Sequence, residues 1–344
     1  MMKPNYSGLD WLKFMAALLV VANHTGPLQS INPYADFLIS GVLTRIAVPV
    51  FFMTSGFFFF RKLTGDPAAD PQALHGYAKK VGKLYVIAIL LYIPLNLYTG
   101  YFTTDFSVYS FMKDIVFDGT VYHLWYLPAM LTGLYMTYFL YKRMPMKAML
   151  AAACSLYAIG LLGGSYYGFM EGNKGLTQIY DGMFNLFDYT RNGLFYAPVF
   201  LALGAWASKQ PKRERSAAAQ AGLFAASLIL MFAEGILLNA ADIPRHDGMY
   251  IFAIPAAYYL FQWALHWRGK SGKAFRDWRV WIYILHPYAI VLVRGASEAV
   301  HLEHLFIANR LLHFLAVCLL SIIIASAAVK LEHMRRPRPS HVDA

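Results

Sequence analysis

The sequence is poor in charge and almost free of cysteine. Only 14% of its 344 residues are charged, whereas soluble domains average about 25%. The two cysteines, Cys154 and Cys318, both lie inside apolar segments, which argues against a disulfide framework and against a cysteine metal site. A chain with so little charge leaves no stretch that could fold as a separate soluble domain.

The sequence motifs of several well-defined enzyme classes are missing as well. The chain contains no His-Glu-x-x-His zinc motif and no Gly-x-Ser-x-Gly nucleophile elbow. Gly269-Lys270-Ser271 lacks the upstream glycine of a phosphate-binding loop, so we interpret it as part of a basic turn. The sequence therefore predicts no bound metal ion and no phosphate-binding loop.

Long apolar stretches account for the missing charge. Hydrophobic residues make up 58% of the chain, and about 20 mostly apolar residues cross a bilayer core. The first stretch contains Lys13 and lacks a small-residue cleavage site, which indicates a retained helix rather than a signal peptide. We predict an all-α, polytopic membrane helix bundle of about ten transmembrane helices, with a transmembrane domain at 1–334 and a basic cytoplasmic tail at 335–344. The predicted spans are roughly 8–29, 41–60, 81–99, 122–141, 147–164, 190–208, 217–237, 248–267, 278–296 and 307–329.

The positive residues are distributed unevenly between alternate loops. If the chain starts inside, 22 of its 30 lysines and arginines fall in inner segments or at the adjoining span ends, and three fall in outer loops. Because positive residues favour cytoplasmic loops, both termini are predicted to be cytoplasmic, in a bacterial-type plasma membrane. The formal net charge of +11 is then a signal of topology, with some attraction to anionic lipid, and predicts no nucleic-acid partner.

Ionisable residues inside the predicted spans are the first candidates for function, because charge is costly in a bilayer. Lys13 and His24 are 11 residues apart on the first span, which places them on nearly one helix face, about 16 Å apart along the axis. Lys13 could instead snorkel to the inner interface, and His24 could be a hydrogen-bonded histidine of the bundle interior. Arg45, in the outer half of the second span, could equally bind a lipid phosphate. Ser55-Gly56 is more typical of close helix packing than of catalysis.

Further polar residues recur at one depth, in the outer half of at least six predicted helices. Anchoring at the membrane interface explains each of them singly, but not His24 and His286, which lie in mid-span. We infer a polar cavity that opens outward, with arginines that suit a carboxylate or phosphate ligand. The residues assigned to this cavity are His123, Trp125, Arg191, Asn192, Glu234, His246, Asp247, His286 and Arg294.

Six segments of the chain follow known patterns. The first three are Lys13-x10-His24, Arg45-x-Ala47-Val48-Pro49-x-Phe51-Phe52-x-x-Ser55-Gly56-Phe57 and His123-Leu124-Trp125-Tyr126-Leu127. In these three segments the chain resembles the acyltransferase-3 superfamily of membrane proteins, which usually opens with Arg-x10-His. It is similar to the membrane domain of VanT-type serine racemases in particular in Thr190-Arg191-Asn192-Gly193-x-Phe195, in Ile243-Pro244-x-His246-Asp247-x-Met249-Tyr250 and in Tyr283-x-Leu285-His286-Pro287-Tyr288. The similarity covers nearly the whole chain.

This resemblance implies roles for the matching residues. In the superfamily, the histidine of the first helix is regarded as essential for moving an acyl group from acyl-CoA, supplied inside, to an acceptor at or beyond the outer face. That histidine corresponds to His24, and Lys13 stands where the family usually has arginine, so a bidentate contact is lost. In VanT-type proteins the membrane half is associated with supplying serine to a cytoplasmic, pyridoxal-phosphate-dependent racemase half, which this sequence does not contain.

A membrane acyltransferase is the first of three hypotheses for function. His24 would act as general base on a hydroxyl or amine acceptor, and Arg45 with Arg191 would hold an anionic acceptor or stabilise the oxyanion. Lys13 and the basic inner loops would attract the phosphates of the acyl-CoA donor, with acetyl-CoA as the first candidate. The reaction would transfer groups other than aminoacyl groups.

The second hypothesis is a carrier or binding module for a small amino acid such as L-serine. Its carboxylate would bind Arg45 or Arg294, and its ammonium group would bind Glu234. The third is a membrane receptor or scaffold without turnover. The expected partners are the lipid bilayer, a small-molecule acyl donor and acceptor, and a separate cytoplasmic racemase or glycan-assembly protein.

Overall fold

A computed structural model describes residues 6–103, 106–210 and 215–335 of the chain. All regular structure in these residues is helical and none of it is β-strand, which confirms the all-α prediction. Lys3, Lys212, Arg213 and the predicted basic tail beyond residue 335 lie outside the described residues. The described α-helices are α1 Ser7–Thr25, α2 Pro33–Asp36, α3 Ala47–Phe60, α4 Ala69–Tyr98, α5 Val108–Lys113, α6 Tyr126–Arg143, α7 Met146–Leu162, α8 Lys174–Leu186, α9 Ala197–Lys209, α10 Ala217–Ala240, α11 Ala253–Ala264, α12 Lys273–Ala299 and α13 Arg310–Arg335.

Every predicted span overlaps one of these helices, and only the short α2, α5 and α8 fall outside the predicted spans. The structure is consistent with a helical membrane protein, whereas the number of ten crossings and the orientation of the termini stay predictions. Within the described part of the chain, five helical segments are long and apolar enough to cross a bilayer, namely Pro33–Phe60, Ala69–Tyr98, Ala217–Ala240, Phe275–Ala299 and Arg310–Glu332.

The first helix is shorter than predicted, because a glycine ends it. Gly26 adopts a left-handed conformation with φ of 58°, and its N–H donates to the carbonyl of Ala22. A left-handed residue cannot continue a right-handed helix, and glycine adopts this conformation with little strain. α1 therefore stops at Thr25 instead of residue 29, and His24 lies in its last turn.

The second helical segment begins earlier than predicted and is irregular. Asn32 caps its start by accepting a hydrogen bond from the N–H of Ala35. A π-helical turn at Phe37–Val42 and a 3-10 turn at Leu43–Ile46 then lead into α3. Such changes of helical type within one segment are frequent at functional sites, and Arg45 lies within the 3-10 turn.

The chain divides into two compact units. The terminal unit lies within Met1–Ala47 and Trp267–Ala344, and the central unit is Val48–His266. In the terminal unit, α1 packs against α12 and α13. Its buried side chains recur every three or four residues, at Leu9, Leu12, Ala16 and Val20, the spacing of one helix face.

In the central unit, α3 and α9 cross with their backbones in contact. A Cβ atom added to Gly56 would lie 2.3 Å from the carbonyl oxygen of Leu201, and one added to Gly204 would lie 2.2 Å from that of Met53. Only glycine fits at such an approach. This confirms the prediction that Gly56 allows two helices to pack closely.

Candidate functional site

The terminal unit brings together two histidines that are far apart in the sequence. The rings of His24 on α1 and His286 on α12 stack with their centroids 5.3 Å apart and their planes inclined by 16°. His286 is fully buried and His24 is half-buried. The sequence predicted both residues as members of one polar site, and the structure places them side by side.

The backbone of α12 fixes the orientation of the His286 ring. Its Nδ1 lies 2.9 Å from the carbonyl oxygen of Tyr283. A carbonyl oxygen can only accept, so Nδ1 carries a proton and Nε2 is the basic nitrogen of the neutral ring. The ring is therefore held in one tautomer where it contacts His24.

The segment that carries Arg45 packs beside the end of α1. The hydroxyl of Thr44 donates to the side-chain oxygen of Asn23 at 3.1 Å, and the hydroxyl of Ser40 donates to the carbonyl of Ala22 at 3.4 Å. These contacts place the chain around Arg45 next to the turn that holds His24. Arg45 itself is half-buried, and its Nε donates to the carbonyl of Gly41 at 3.2 Å.

Lys13 and Arg294 lie farther along the helices that carry the two histidines. Lys13 is half-buried on α1, which runs unbroken from Ser7 to Thr25, so its separation from His24 is about 16 Å, as predicted. Arg294 is exposed on α12, about two turns beyond His286.

One ion pair of the terminal unit was not predicted from the sequence. Asp10 is 6% exposed, and its carboxylate accepts from Arg279 Nη1 at 2.5 Å and from the hydroxyl of Ser271 at 2.7 Å. Arg276 lies 3.8 Å from the same carboxylate. The pair holds the start of α1 against α12, which helps to align the helices that carry His24 and His286. The sequence did contain a signal for this ion pair, because an acidic residue at the start of an apolar span, such as Asp10, predicts a buried basic partner.

The central unit contains a second polar site, built around Arg191. Its guanidinium carbon lies 4.7 Å from the ring centroid of Tyr189 and 5.1 Å from that of Trp125, so two aromatic faces hold it in place. It lines a cavity of about 180 Å³. The other residues that line the cavity are Asp114, Asp118, Gly119, Tyr122, Trp125, Asp188 and Tyr189.

Three aspartates form one wall of this cavity. Carboxylate oxygens of Asp114, Asp118 and Asp188 lie within 4.8 Å of one another. Lys113 Nζ binds Asp188 at 2.7 Å, and the hydroxyl of Tyr101 donates to Asp114. Carboxylates at this spacing suit a cation or an ammonium group. The sequence analysis missed all three, because Asp188 belongs to a different loop from the other two.

Burial and mutual repulsion change how these carboxylates titrate. Burial is the main cause that raises the pKa of Asp118 to about 6, and the negative charges of Asp188 and Asp114 raise it further against the opposing Lys113 charge and a backbone hydrogen bond. Burial likewise raises the pKa of Asp114. A positive group placed among them would favour their ionised forms.

His246 and Asn192 lie beside the same cavity. The His246 ring contacts that of Tyr189, with centroids 4.7 Å apart. Burial, followed by the charges of Arg245 and Arg191, lowers the pKa of His246, while the carboxylate of Asp247 opposes this shift. Asn192 is 1% exposed; its side-chain oxygen accepts from two backbone N–H groups and its amide donates to the Tyr189 carbonyl. It therefore stabilises the turn that presents Arg191.

Two further predicted residues are engaged in packing of the central unit. Glu234 on α10 accepts hydrogen bonds from the hydroxyl of Tyr166 and from the N–H groups of Ile251 and Phe252, at 2.6–2.9 Å. These bonds fix the start of α11, and a role of Glu234 toward an ammonium group stays a prediction. His123 is 2% exposed and packs on Tyr92 and Tyr122.

Comparisons with known proteins point to one family. The acyltransferase-3 family model, described as an acyltransferase domain, matches residues 6–330. Two proteins of Enterococcus faecalis named amino-acid racemase are 40% and 36% identical over 336 and 337 residues, each covering 97% of this chain and 46% and 47% of the relative. A serine/alanine racemase of Enterococcus gallinarum is 35% identical over 317 residues, which cover 92% of this chain and 45% of that relative's length. The chain thus spans about half the length of these relatives. No solved structure matches it significantly.

Proposed function

Because the chain belongs to the acyltransferase-3 family, we propose that it is a membrane-bound acyltransferase. It moves an acyl group, with acetyl the first candidate, from a cytoplasmic acyl-CoA donor to a hydroxyl or amine acceptor at the outer half of the plasma membrane. The observation that carries this proposal is the stacked pair of His24 and His286, 5.3 Å apart on two packed helices.

In the proposed reaction, His24 is the general base. It takes the proton of the acceptor hydroxyl or amine as the oxygen or nitrogen attacks the thioester carbonyl carbon. The new bond to carbon forms, the carbon–sulfur bond breaks, and the proton passes to the leaving thiolate to give free CoA. His286, whose ring is oriented by the Tyr283 carbonyl and stacks on that of His24, positions the His24 ring for this proton transfer.

The cations of the terminal unit supply the electrostatic part of the mechanism. Arg45, on the segment that packs beside the His24 turn, stabilises the oxyanion that forms on the acyl carbonyl. Lys13 attracts the donor's phosphates from the inner side, about 16 Å from His24. One lysine gives a point charge rather than the fork of an arginine, so it favours phosphate without fixing its orientation.

Acetyl-CoA turnover by the purified full chain tests this proposal. His24→Ala should reduce turnover by about 10²- to 10⁴-fold, the usual contribution of a general base. His75→Ala, which removes an exposed histidine on α4, is the matched control and should retain full turnover. Equal turnover in wild type and His24→Ala would contradict the mechanism.

A second candidate function is carriage or binding of a small amino acid such as L-serine. It is favoured by the relatives' names, which are those of amino-acid and serine/alanine racemases, and by the charged cavity of the central unit. The partner would then be a cytoplasmic racemase. Vesicles containing the protein should accumulate labelled L-serine without an acyl donor, and uptake no greater than that of empty vesicles would count against carriage.

A further inference from the structure

Side chains of both charges line the central-unit cavity. We propose that it binds a small dipolar molecule, with a protonated amine against Asp114 and Asp118 and a carboxylate against Arg191. The proposal deepens the second candidate function by assigning ligand contacts, and it is independent of acyl transfer, which rests on the terminal unit.

Lys113 neutralises only part of the aspartate cluster, which leaves carboxylates that suit an added ammonium group. Lys113 bonds to Asp188, while Asp114 accepts from a tyrosine hydroxyl and Asp118 from a backbone N–H. The carboxylates of Asp114 and Asp118 therefore receive neutral donors in these contacts. An ammonium group has three N–H donors and a full charge, so it would make stronger, charge-assisted bonds to the same oxygens.

The basic wall is preorganised for a carboxylate. Arg191 is positioned by the faces of Trp125 and Tyr189, and Asn192 stabilises the adjoining turn. A guanidinium held in this way can form two parallel hydrogen bonds to a carboxylate at low entropic cost. Aromatic walls also lower the local polarity, which strengthens both ends of the recognition.

A dipolar ligand fits this cavity better than a simple ion does. A metal cation would neutralise the aspartates but would add positive charge to a cavity that Arg191 already lines. An anion would meet Arg191 and then face three carboxylates. A cavity volume of about 180 Å³ leaves room for a small amino acid.

Equilibrium binding to the full chain in detergent tests the assignment. The probes are L-serine, ethanolamine, which lacks its carboxylate, and 3-hydroxypropanoate, which lacks its amine. L-serine should bind at least about tenfold more tightly than either fragment, because each loses one charge-assisted contact. Asp118→Asn should weaken L-serine binding by a similar factor and should not weaken binding of 3-hydroxypropanoate, which gains from the loss of a nearby negative charge. Arg191→Lys should weaken L-serine but spare ethanolamine.

Asp181→Asn is the matched control, because Asp181 is an exposed aspartate on the neighbouring α8, and it should bind like wild type. Thermal melting of each variant shows whether the fold persists, and Asp118→Asn or Arg191→Lys protein that melts like wild type yet binds L-serine unchanged overturns the assignment. Binding of ethanolamine as tight as that of L-serine overturns it too. His24 does not line this cavity, so the two proposals can fail separately. If His24→Ala abolishes acyl transfer and still binds L-serine normally, both proposals stand.

Discussion

Asp10 of the terminal unit is a buried acidic residue that pairs with an arginine. Its partner Arg279 is 12% exposed in its side chain, and their charged atoms are 2.5 Å apart. Burying two charges costs about as much as their attraction returns. The pair therefore contributes less to net stability than to fixing how α1 and α12 align, because any other alignment leaves a buried charge alone.

Asp10→Asn should lower stability by about 3–5 kcal/mol, because it leaves the Arg279 charge buried without its carboxylate. Thermal melting of the purified chain in detergent measures the effect. The double variant Asp10→Leu with Arg279→Met removes both charges and should melt closer to wild type than Asp10→Asn. If the double variant is the less stable of the two, the pair is a net source of stability and this account is wrong.

Asp118 makes the central-unit cavity sensitive to pH. Its pKa is raised to about 6 by burial and by the charges of Asp188 and Asp114, against the opposing Lys113 charge, and Arg191 lines the same cavity. A raised pKa means that the carboxyl group is protonated at a higher pH than usual, and the protonated form does not attract an ammonium group. L-serine affinity should therefore be full above about pH 7 and fall by up to about tenfold per pH unit below pH 6. Titration calorimetry from pH 5 to 8 checks this, and Asp118→Asn should flatten the profile.

At the scale of the elements, the crossing of α3 and α9 depends on two glycines rather than on apolar surface. Added Cβ atoms at Gly56 and Gly204 would fall 2.2–2.3 Å from main-chain oxygens, which cannot move without shifting a helix. Helices in lipid lack a strong hydrophobic drive to associate, so close contact of small residues supplies the attraction.

Gly56→Ala should destabilise the protein by about 1–3 kcal/mol, because the methyl group forces the two helices apart. Gly222→Ala on α10 is the matched control, since nothing lies within 4 Å of the Cβ position there, and it should be neutral or stabilising by up to about 1 kcal/mol. Melting temperatures in detergent compare the two. Equal melting temperatures would show that the crossing tolerates separation.

The positions of the elements could be predicted because apolar runs are local signals. Each predicted span overlaps a helix, since about 20 apolar residues in lipid have few other stable backbone conformations. The ends were less predictable. α1 stops at Thr25 because of the backbone conformation of Gly26, and the irregular turns before α3 depend on packing that the sequence pattern does not encode.

At the scale of the whole molecule, the site was predictable only in part. His24 and His286 were predicted to share one polar cavity because both were placed in mid-span, whereas the structure puts His24 in the last turn of α1 and stacks the two rings. The aspartate wall was not expected, because Asp114 and Asp188 are polar residues in loops, where charge is ordinary and carries no signal by itself. Their approach depends on how two loops fold together, and Tyr109 of one loop bonding to the Asn185 carbonyl of the other has no local sequence signature.

The orientation of the chain in the membrane is open to a direct test. In a background without Cys154 and Cys318, Lys174→Cys and Lys80→Cys place single thiols at exposed positions in a predicted outer and a predicted inner loop. A membrane-impermeant maleimide should label Lys174→Cys in intact cells and Lys80→Cys only after permeabilisation. The reverse pattern would place both termini outside.

The hydrogen bond that fixes the His286 ring is possible because the next residue is a proline. Pro287 has no backbone N–H, so the carbonyl of Tyr283, four residues earlier, lacks its usual helical hydrogen-bond donor. The imidazole of His286 donates to that carbonyl instead. A residue with no polar side chain thus leaves the acceptor open that orients the neighbouring imidazole and sets which of its nitrogens carries hydrogen.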